Sequence, residues 1–162
     1  MKEELRNVLF CSSCGGHLLQ LQSVFKEFNL ESCYFISELA KDSSEVCSKY
    51  RFKDKLLVTR IGSGSRAVWL LKSFLFNFRK FVKICLKSDL MLSTGGIASV
   101  IPGLICFVLR RKIIFVETIA KTDNLTSTAR IFYHLSDHFY VQDENLCKKY
   151  EKAVFKGTIY KI

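Results

Sequence analysis

Apolar residues recur along this chain in short unbroken runs, separated by stretches where they return every three or four positions. An unbroken apolar run bounded by Ser, Gly or charged residues reads as a strand buried on both faces. Such runs occupy residues 8–11, 33–36, 56–58, 90–92, 113–116 and 139–141, and 153–155 reads as a last short strand. Helical spacing occupies 17–28, where Leu18, Leu21, Val24, Phe25 and Phe28 share a face, and 67–87. Gly95-Gly96 opens a further helix, 122–136 is a polar loop running into a helix, and 145–150 is a short helix. Strands and helices alternate, and the strands are apolar throughout. That pattern predicts an α/β fold, a Rossmann-like doubly wound parallel sheet covered on both faces.

The chain has 162 residues and no repeat or linker, so one domain spanning 1–162 is expected. With 49% hydrophobic and 25% charged residues it is neither disordered nor fibrous. The length supports a core without disulfide or metal staples. It also restricts catalysis. An enzyme that closes two nucleotide-fold domains around its substrates needs about 100–200 residues for each. This chain supplies one.

No apolar run of signal-peptide length lies near the start, so a cytosolic or cytosol-facing protein is expected. The 7 cysteines are odd in number and scattered, which argues against a disulfide framework. His134 and His138 have no further ligand near them, and no metal site is expected. Residues 90–109 carry no charge and could span a bilayer by length. Ser93-Thr94-Gly95-Gly96 and Pro102-Gly103 interrupt them, which favours a strand, a glycine turn and a short buried helix.

In such sheets ligands bind beyond the carboxyl ends of the strands. Ser12-Ser13-Cys14-Gly15-Gly16-His17 follows the first strand, Gly62-Ser63-Gly64-Ser65-Arg66 the third, and Ser93-Thr94-Gly95-Gly96 the fourth. Glu117, Thr118, Lys121 and Asn124 follow the fifth. Small residues let backbone N–H groups approach a ligand, so these turns are candidates for phosphate or sugar binding. The plainer alternative is that they only connect strands to helices. His17 is expected to be exposed in the first helical turn, and a neutral imidazole there could serve as a general base. Glu117 ends an apolar strand, where it could bind sugar hydroxyls, act as a base, or cap the next helix.

Two other chemistries fit less well. Cys11-x-x-Cys14 at a strand–helix junction could be a thiol–disulfide site, but the sole proline, Pro102, lies in an apolar helical stretch. A dinucleotide site is placed in doubt because Gly15-Gly16 lacks the third glycine at the required spacing, although Glu38 lies near the expected acid.

The net charge of +10 favours anionic partners. Within 67–87, Leu70, Leu71, Phe74, Leu75, Phe78, Phe81, Val82 and Cys85 share one face, and Lys72, Arg79, Lys80, Lys83 and Lys87 the other. Trp69 and Phe76 fall among these basic residues, as in a helix lying on an anionic membrane surface. The alternatives are a surface helix with solvated cations, or a non-catalytic nucleotide- or nucleic-acid-binding module. No helix-turn-helix or RNA-binding motif is present, so no nucleic-acid partner is expected.

Taken in order, Cys11-Ser12-Ser13-Cys14-Gly15-Gly16-His17-Leu18-Leu19-Gln20, Ser93-Thr94-Gly95-Gly96, Phe115-Val116-Glu117-Thr118-Ile119-Ala120-Lys121, Tyr140-Val141-Gln142 and Gly157-Thr158-Ile159-Tyr160 resemble a glycosyltransferase-subunit family. That family comprises the membrane-associated subunit of the N-glycosylation UDP-N-acetylglucosamine transferase and bacterial counterparts in capsule and exopolysaccharide synthesis. It resembles the N-terminal half of the peptidoglycan lipid II N-acetylglucosaminyltransferase. The resemblance implies the acceptor-side half of a split, inverting GT-B enzyme. A separately encoded subunit would carry most of the UDP-sugar site. The acceptor would be a polyprenyl-diphosphate glycan at the cytoplasmic face of the membrane, with peripheral attachment and no cofactor or metal. His17 would match the family's glycine-loop histidine and Glu117 its carboxylate after the fifth strand. The chain begins close to its first strand, which suggests the bacterial type. Cys14 and Lys121 depart from the small residue and arginine expected there.

Overall fold

The structure is a computed structural model that describes residues 7–59 and 66–159, without the side chains of residues 66, 67, 69–71, 73 and 74. A seven-stranded sheet runs through it in the order β3-β2-β1-β4-β5-β6-β7. The strands are β1 (Val8–Ser12), β2 (Tyr34–Glu38), β3 (Asp54–Val58), β4 (Leu90–Gly95), β5 (Lys112–Val116), β6 (His138–Val141) and β7 (Ala153–Phe155). Every neighbouring pair is parallel. The order reverses direction between β1 and β4, which is the switch point of a doubly wound sheet.

The helices are α1 (Gly16–Gln22), α2 (Lys41–Lys49), α3 (Arg66–Lys87), α4 (Val100–Val108), α5 (Ser127–Leu135) and α6 (Glu144–Lys149). Alternate residues of each strand feed two cores. Val8 and Phe10 of β1 join Leu18 and Leu21 of α1 and Val46 of α2 on one face. Leu9 and Cys11 join Phe81, Ile84 and Cys85 of α3, Cys106 of α4 and Phe132 of α5 on the other.

The structure departs from the sequence pattern in three places. The helix expected over 17–28 ends at Gln22, and a 3-10 turn follows at Phe25–Glu27. Ser23 Oγ donates to the Gln20 carbonyl at 2.7 Å. The tighter turn sets the Phe25 ring 5.1 Å from Phe10, 5.4 Å from Tyr50 and 5.6 Å from Phe52, so aromatic packing wins over helical periodicity. Helix α2 leaves no apolar period to read, because Val46 is its one buried aliphatic residue. Its start is held by Ser43 Oγ, which accepts from Ala40 N at 2.9 Å and donates to the Glu38 carbonyl at 2.6 Å.

The third change concerns α3. Phe81 and Cys85 are buried as expected, together with Ile84, but Leu75 is 66% exposed and Phe78 44%. A helix of 22 residues is about 33 Å long, whereas a five-residue strand spans about 17 Å. The helix ends beside the amino edge of the sheet, so its earlier turns overrun the carboxyl edge. Residues 90–109 divide into β4, a 3-10 turn and α4. Among the described residues no helix is long and apolar enough to cross a membrane.

Candidate functional site

The β1–β4 switch point is built by two glycine-containing segments locked onto each other. The pairing register shifts between Cys11 and Ser12, which sets Ser12 opposite Gly95. Ser13 N donates to the Gly95 carbonyl at 3.0 Å, and Ser13 Oγ accepts from Ala98 N at 3.3 Å. A Cβ on Gly96 would collide with the Ser13 side chain and backbone nitrogen. Gly95 and Gly96 hold φ of 98° and 86°, a region that L side chains rarely occupy.

His17 stands over this junction, half-buried rather than open to solvent. A Cβ on Gly95 would come within 3.3 Å of its ring, so the glycine makes room for the imidazole. His17 Nδ1 lies 2.7 Å from the Thr94 carbonyl oxygen. A carbonyl can only accept, so Nδ1 carries the proton. In the neutral ring Nε2 is then the basic nitrogen. Thr94 Oγ1 returns a hydrogen bond to the His17 carbonyl at 2.6 Å. Backbone and side chain of each residue thus fix the other.

Glu117 is fully buried. Its carboxylate accepts from Thr118 N at 2.8 Å and Thr126 N at 2.9 Å, and from Thr126 Oγ1 at 3.1 Å. Thr126 is the N-cap of α5, its Oγ1 accepting from Ala129 N at 3.1 Å. The charge therefore sits near a helix N-terminus, where the macrodipole favours it. These contacts tie Glu117 to the start of α5 and close the loop of residues 118–126. Gln142 Nε2 donates to the Glu117 carbonyl at 2.9 Å, and Gln20 Nε2 to Thr118 Oγ1 at 3.3 Å.

The other candidates separate by burial. Ser12, Ser93, Thr94 and Gly95 are buried, and Ser93 Oγ accepts from Gly95 N at 3.1 Å. Ser12 Oγ is buried without a partner. Gly15, Gly16, Lys121 and Asn124 are exposed, and Thr118 and Gly96 half-buried. The Gly15 N–H is already taken, donating to the Asp42 carboxylate at 2.6 Å. An anion on that turn would have to displace Asp42. The turn at Gly62-Ser63-Gly64-Ser65 and the closing Tyr160 lie outside the described residues.

The thiol–disulfide alternative finds no support. Cys11 Sγ faces the Ala98 carbonyl on the α3–α4 side, whereas Cys14 Sγ faces Glu38 at 3.8 Å. Both thiols are raised above their ordinary value, Cys11 by burial, and Cys14 by burial and then by the charges of Glu38 and Asp42. A reactive thiol needs the opposite shift.

Sequence reasoning missed Asp42, Thr126, Gln20 and Gln142 as site-building residues. Gln20 and Gln142 are buried at 2% and 6% exposure, yet nothing in their local spacing announces a long-range partner.

On α3, Phe76 is 76% exposed, and Lys72, Arg79, Lys80 and Lys83 are all exposed. The Trp69 side chain lies outside the described residues.

The chain matches the family model described as "Oligosaccharide biosynthesis protein Alg14 like" over residues 8–159. It is 29% identical over 147 residues to the mouse (Mus musculus) "UDP-N-acetylglucosamine transferase subunit ALG14", covering 82% of this chain and 65% of that protein. The human (Homo sapiens) protein of the same description is 38% identical over 78 residues, 48% of this chain and 31% of that protein. The chain therefore spans from 31% to 65% of the length of these relatives. Among solved structures, MurG of Acinetobacter baumannii matches with a TM-score of 0.71 at 14% identity, over 96% of this chain and 47% of that one. UDP-GlcNAc 2-epimerase of Neisseria meningitidis matches at 0.69 and 14% identity, over 94% and 46%. These likenesses establish the fold, that of the N-terminal half of a GT-B enzyme.

Proposed function

The chain belongs to the Alg14-like family of oligosaccharide biosynthesis proteins, and from that premise we propose that it is the acceptor-side subunit of a two-component, inverting glycosyltransferase. A separately encoded subunit supplies most of the UDP-sugar site. The acceptor is a polyprenyl-diphosphate glycan in capsule or exopolysaccharide synthesis. The subunit works at the cytoplasmic face of the membrane, attached peripherally through the cationic α3 surface and Phe76.

The observation that carries this reading is the His17–Thr94 lock at the switch point. It leaves Nε2 as a proton acceptor at the carboxyl edge, where doubly wound sheets bind ligands. In the proposed step Nε2 takes the acceptor hydroxyl proton as that oxygen attacks the anomeric carbon. The bond to the diphosphate breaks, and UDP leaves with the electron pair. Because Asp42 already holds the Gly15 N–H, the acceptor diphosphate is assigned to the exposed Lys121 and Asn124. No cofactor or metal enters the step.

The test is reconstitution. The chain, alone and with a partner of similar half-enzyme size, is assayed for transfer from labelled UDP-sugars to a polyprenyl-diphosphate sugar in membranes. Activity with both chains only is expected. Full activity of the isolated chain would overturn the split-enzyme reading. A stable complex inactive with every sugar would reduce the role to binding or recruitment.

A further inference from the structure

Opposite the switch point, at the amino edge of the sheet, α4 ends in a turn with an uncommon residue. Leu109 caps the helix, Arg110 N donates to the Phe107 carbonyl at 3.0 Å and Arg111 N to the Cys106 carbonyl at 2.9 Å. This double bond pattern is the Schellman motif, whose left-handed position glycine usually fills. Arg110 fills it here with φ 55°. A groove of about 450 Å³ opens beside the turn, bordered by Phe107, Val108, Arg110, Arg111, Lys112 and Asp137.

The groove holds unspent hydrogen-bonding capacity. Arg111 Nη2 donates to the Leu86 carbonyl at 2.8 Å, but its Nε is buried with no partner. Asp137, the acid at the groove, accepts from Ile113 N at 2.7 Å. Among the described residues the one ion pair present is Lys26–Glu27, so Arg110, Arg111 and Lys112 are left without a paired carboxylate. Leu104, Phe107 and Val108 lie at i, i+3 and i+4 of α4 and form one stripe, 46%, 52% and 77% exposed. The stripe runs directly into the cationic turn. Leu86, 50% exposed, adds an apolar residue from the end of α3.

We propose that this groove binds the phosphodiester headgroup of an anionic phospholipid, with an acyl chain along Leu104, Phe107 and Val108. Guanidinium groups match phosphate oxygens in a planar, two-point geometry that an ammonium cannot offer. The apolar stripe continuous with the cations selects an amphiphile over a free anion. The inference deepens the membrane reading above, because it gives the α3–α4 face one defined lipid site in addition to diffuse attraction by α3.

The experiment follows the Arg111 side-chain Nε–H resonance of the whole chain by ¹⁵N NMR. The probes are dihexanoyl phosphatidylglycerol below its micelle concentration, the phosphatidylcholine analogue, and inorganic phosphate. The expected result is a saturable shift of that resonance with phosphatidylglycerol, and little with the other two. Arg110→Gly with Lys112→Gln should lower affinity about thirtyfold, the order expected for removing two cations at an anionic surface. Glycine suits the left-handed position, so this variant keeps its fold. Absence of the shift, or an equal response to inorganic phosphate, would overturn the proposal. Flotation with phosphatidylglycerol vesicles separates the two readings. Binding lost in Lys80→Gln/Lys83→Gln but unchanged in the Arg110/Lys112 variant would refute the groove and keep the α3 surface. A saturable Arg111 shift without any vesicle binding would retain the groove and remove the membrane face.

Discussion

His17 and Thr94 grip each other across the β1–β4 switch point through two reciprocal hydrogen bonds, Nδ1 to the Thr94 carbonyl at 2.7 Å and Thr94 Oγ1 to the His17 carbonyl at 2.6 Å. The first bond sets the tautomer and the second sets the backbone from which the ring projects. In the reconstituted enzyme, His17→Ala is expected to lower kcat by about 10²–10⁴, the usual worth of a general base. Thr94→Val should cost about 1 kcal/mol of stability and lower kcat less, with KM nearly unchanged. Steady-state kinetics with thermal melts checks both. A His17→Ala enzyme of unchanged kcat would make this subunit a recruiter only.

Glu117 differs from His17 in being fully buried, with both carboxylate oxygens engaged by backbone N–H groups. Glu117→Gln would point an amide N–H₂ at the Thr118 or Thr126 N–H that now donates to the carboxylate. Losing charge-assisted bonds of this kind costs about 1.5–3 kcal/mol. Urea unfolding should register that loss. A drop in kcat with stability intact would instead return position 117 to the catalytic machinery.

Gly96→Ala should be among the most damaging single substitutions. The new methyl would meet Ser13, and φ of 86° is strained for alanine. Ser13 is held at both its backbone and its hydroxyl, so it has little freedom to move aside. Overpacking of this kind typically costs about 1–3 kcal/mol before the strain is added. A soluble-expression screen and circular dichroism melts measure it. The companion Gly16→Ala meets nothing nearby and should be mild.

Stability should fall in alkaline solution. Cys11 and Cys85 are buried, and both thiols are raised above their ordinary value of 9.0, Cys11 mainly by burial and Cys85 by its hydrogen bond with Cys106 and then by burial. The folded state keeps these protons after the unfolded chain has begun to lose them. Their contribution is thus complete below about pH 8.5 and declines above it, by up to about 1.4 kcal/mol per pH unit for each thiol. Urea midpoints from pH 7 to 10 test this. Cys85→Ala should flatten the alkaline slope, and an equal slope in that variant would refute the assignment.

Cys14 should be sluggish toward iodoacetamide at pH 8, because partial burial and then the charges of Glu38 and Asp42 oppose its ionisation. Glu38→Gln is expected to speed its alkylation severalfold, by removing one opposing charge and the bond at 3.8 Å. Site-resolved mass spectrometry reads the rate. A slower reaction in the variant would show the sign to be wrong.

Much of the architecture was legible along the chain. The seven apolar runs match the seven strands to within three residues at each end, because a strand covered on both faces has few polar positions to blur it. The glycines at 95 and 96 and the histidine at 17 could be picked out because loops after parallel strands face the switch point. Helix α2 could not, since a helix that buries little beyond Val46 and Ser43 carries no apolar period.

The sequence by itself determined the sheet, its two-sided burial and the small set of residues at its carboxyl edge. These depend on local pattern, which a linear chain displays. Only the tertiary structure decided which of those residues are spent and which are free. The Gly15 N–H meets a carboxylate 27 positions away, and His17 meets Thr94 across 77 positions. Glu117 is consumed by a cap on a helix that begins beyond a loop. A buried polar group must find a partner wherever the fold brings one, and that partner's place in the chain is set by strand order, which no local spacing records.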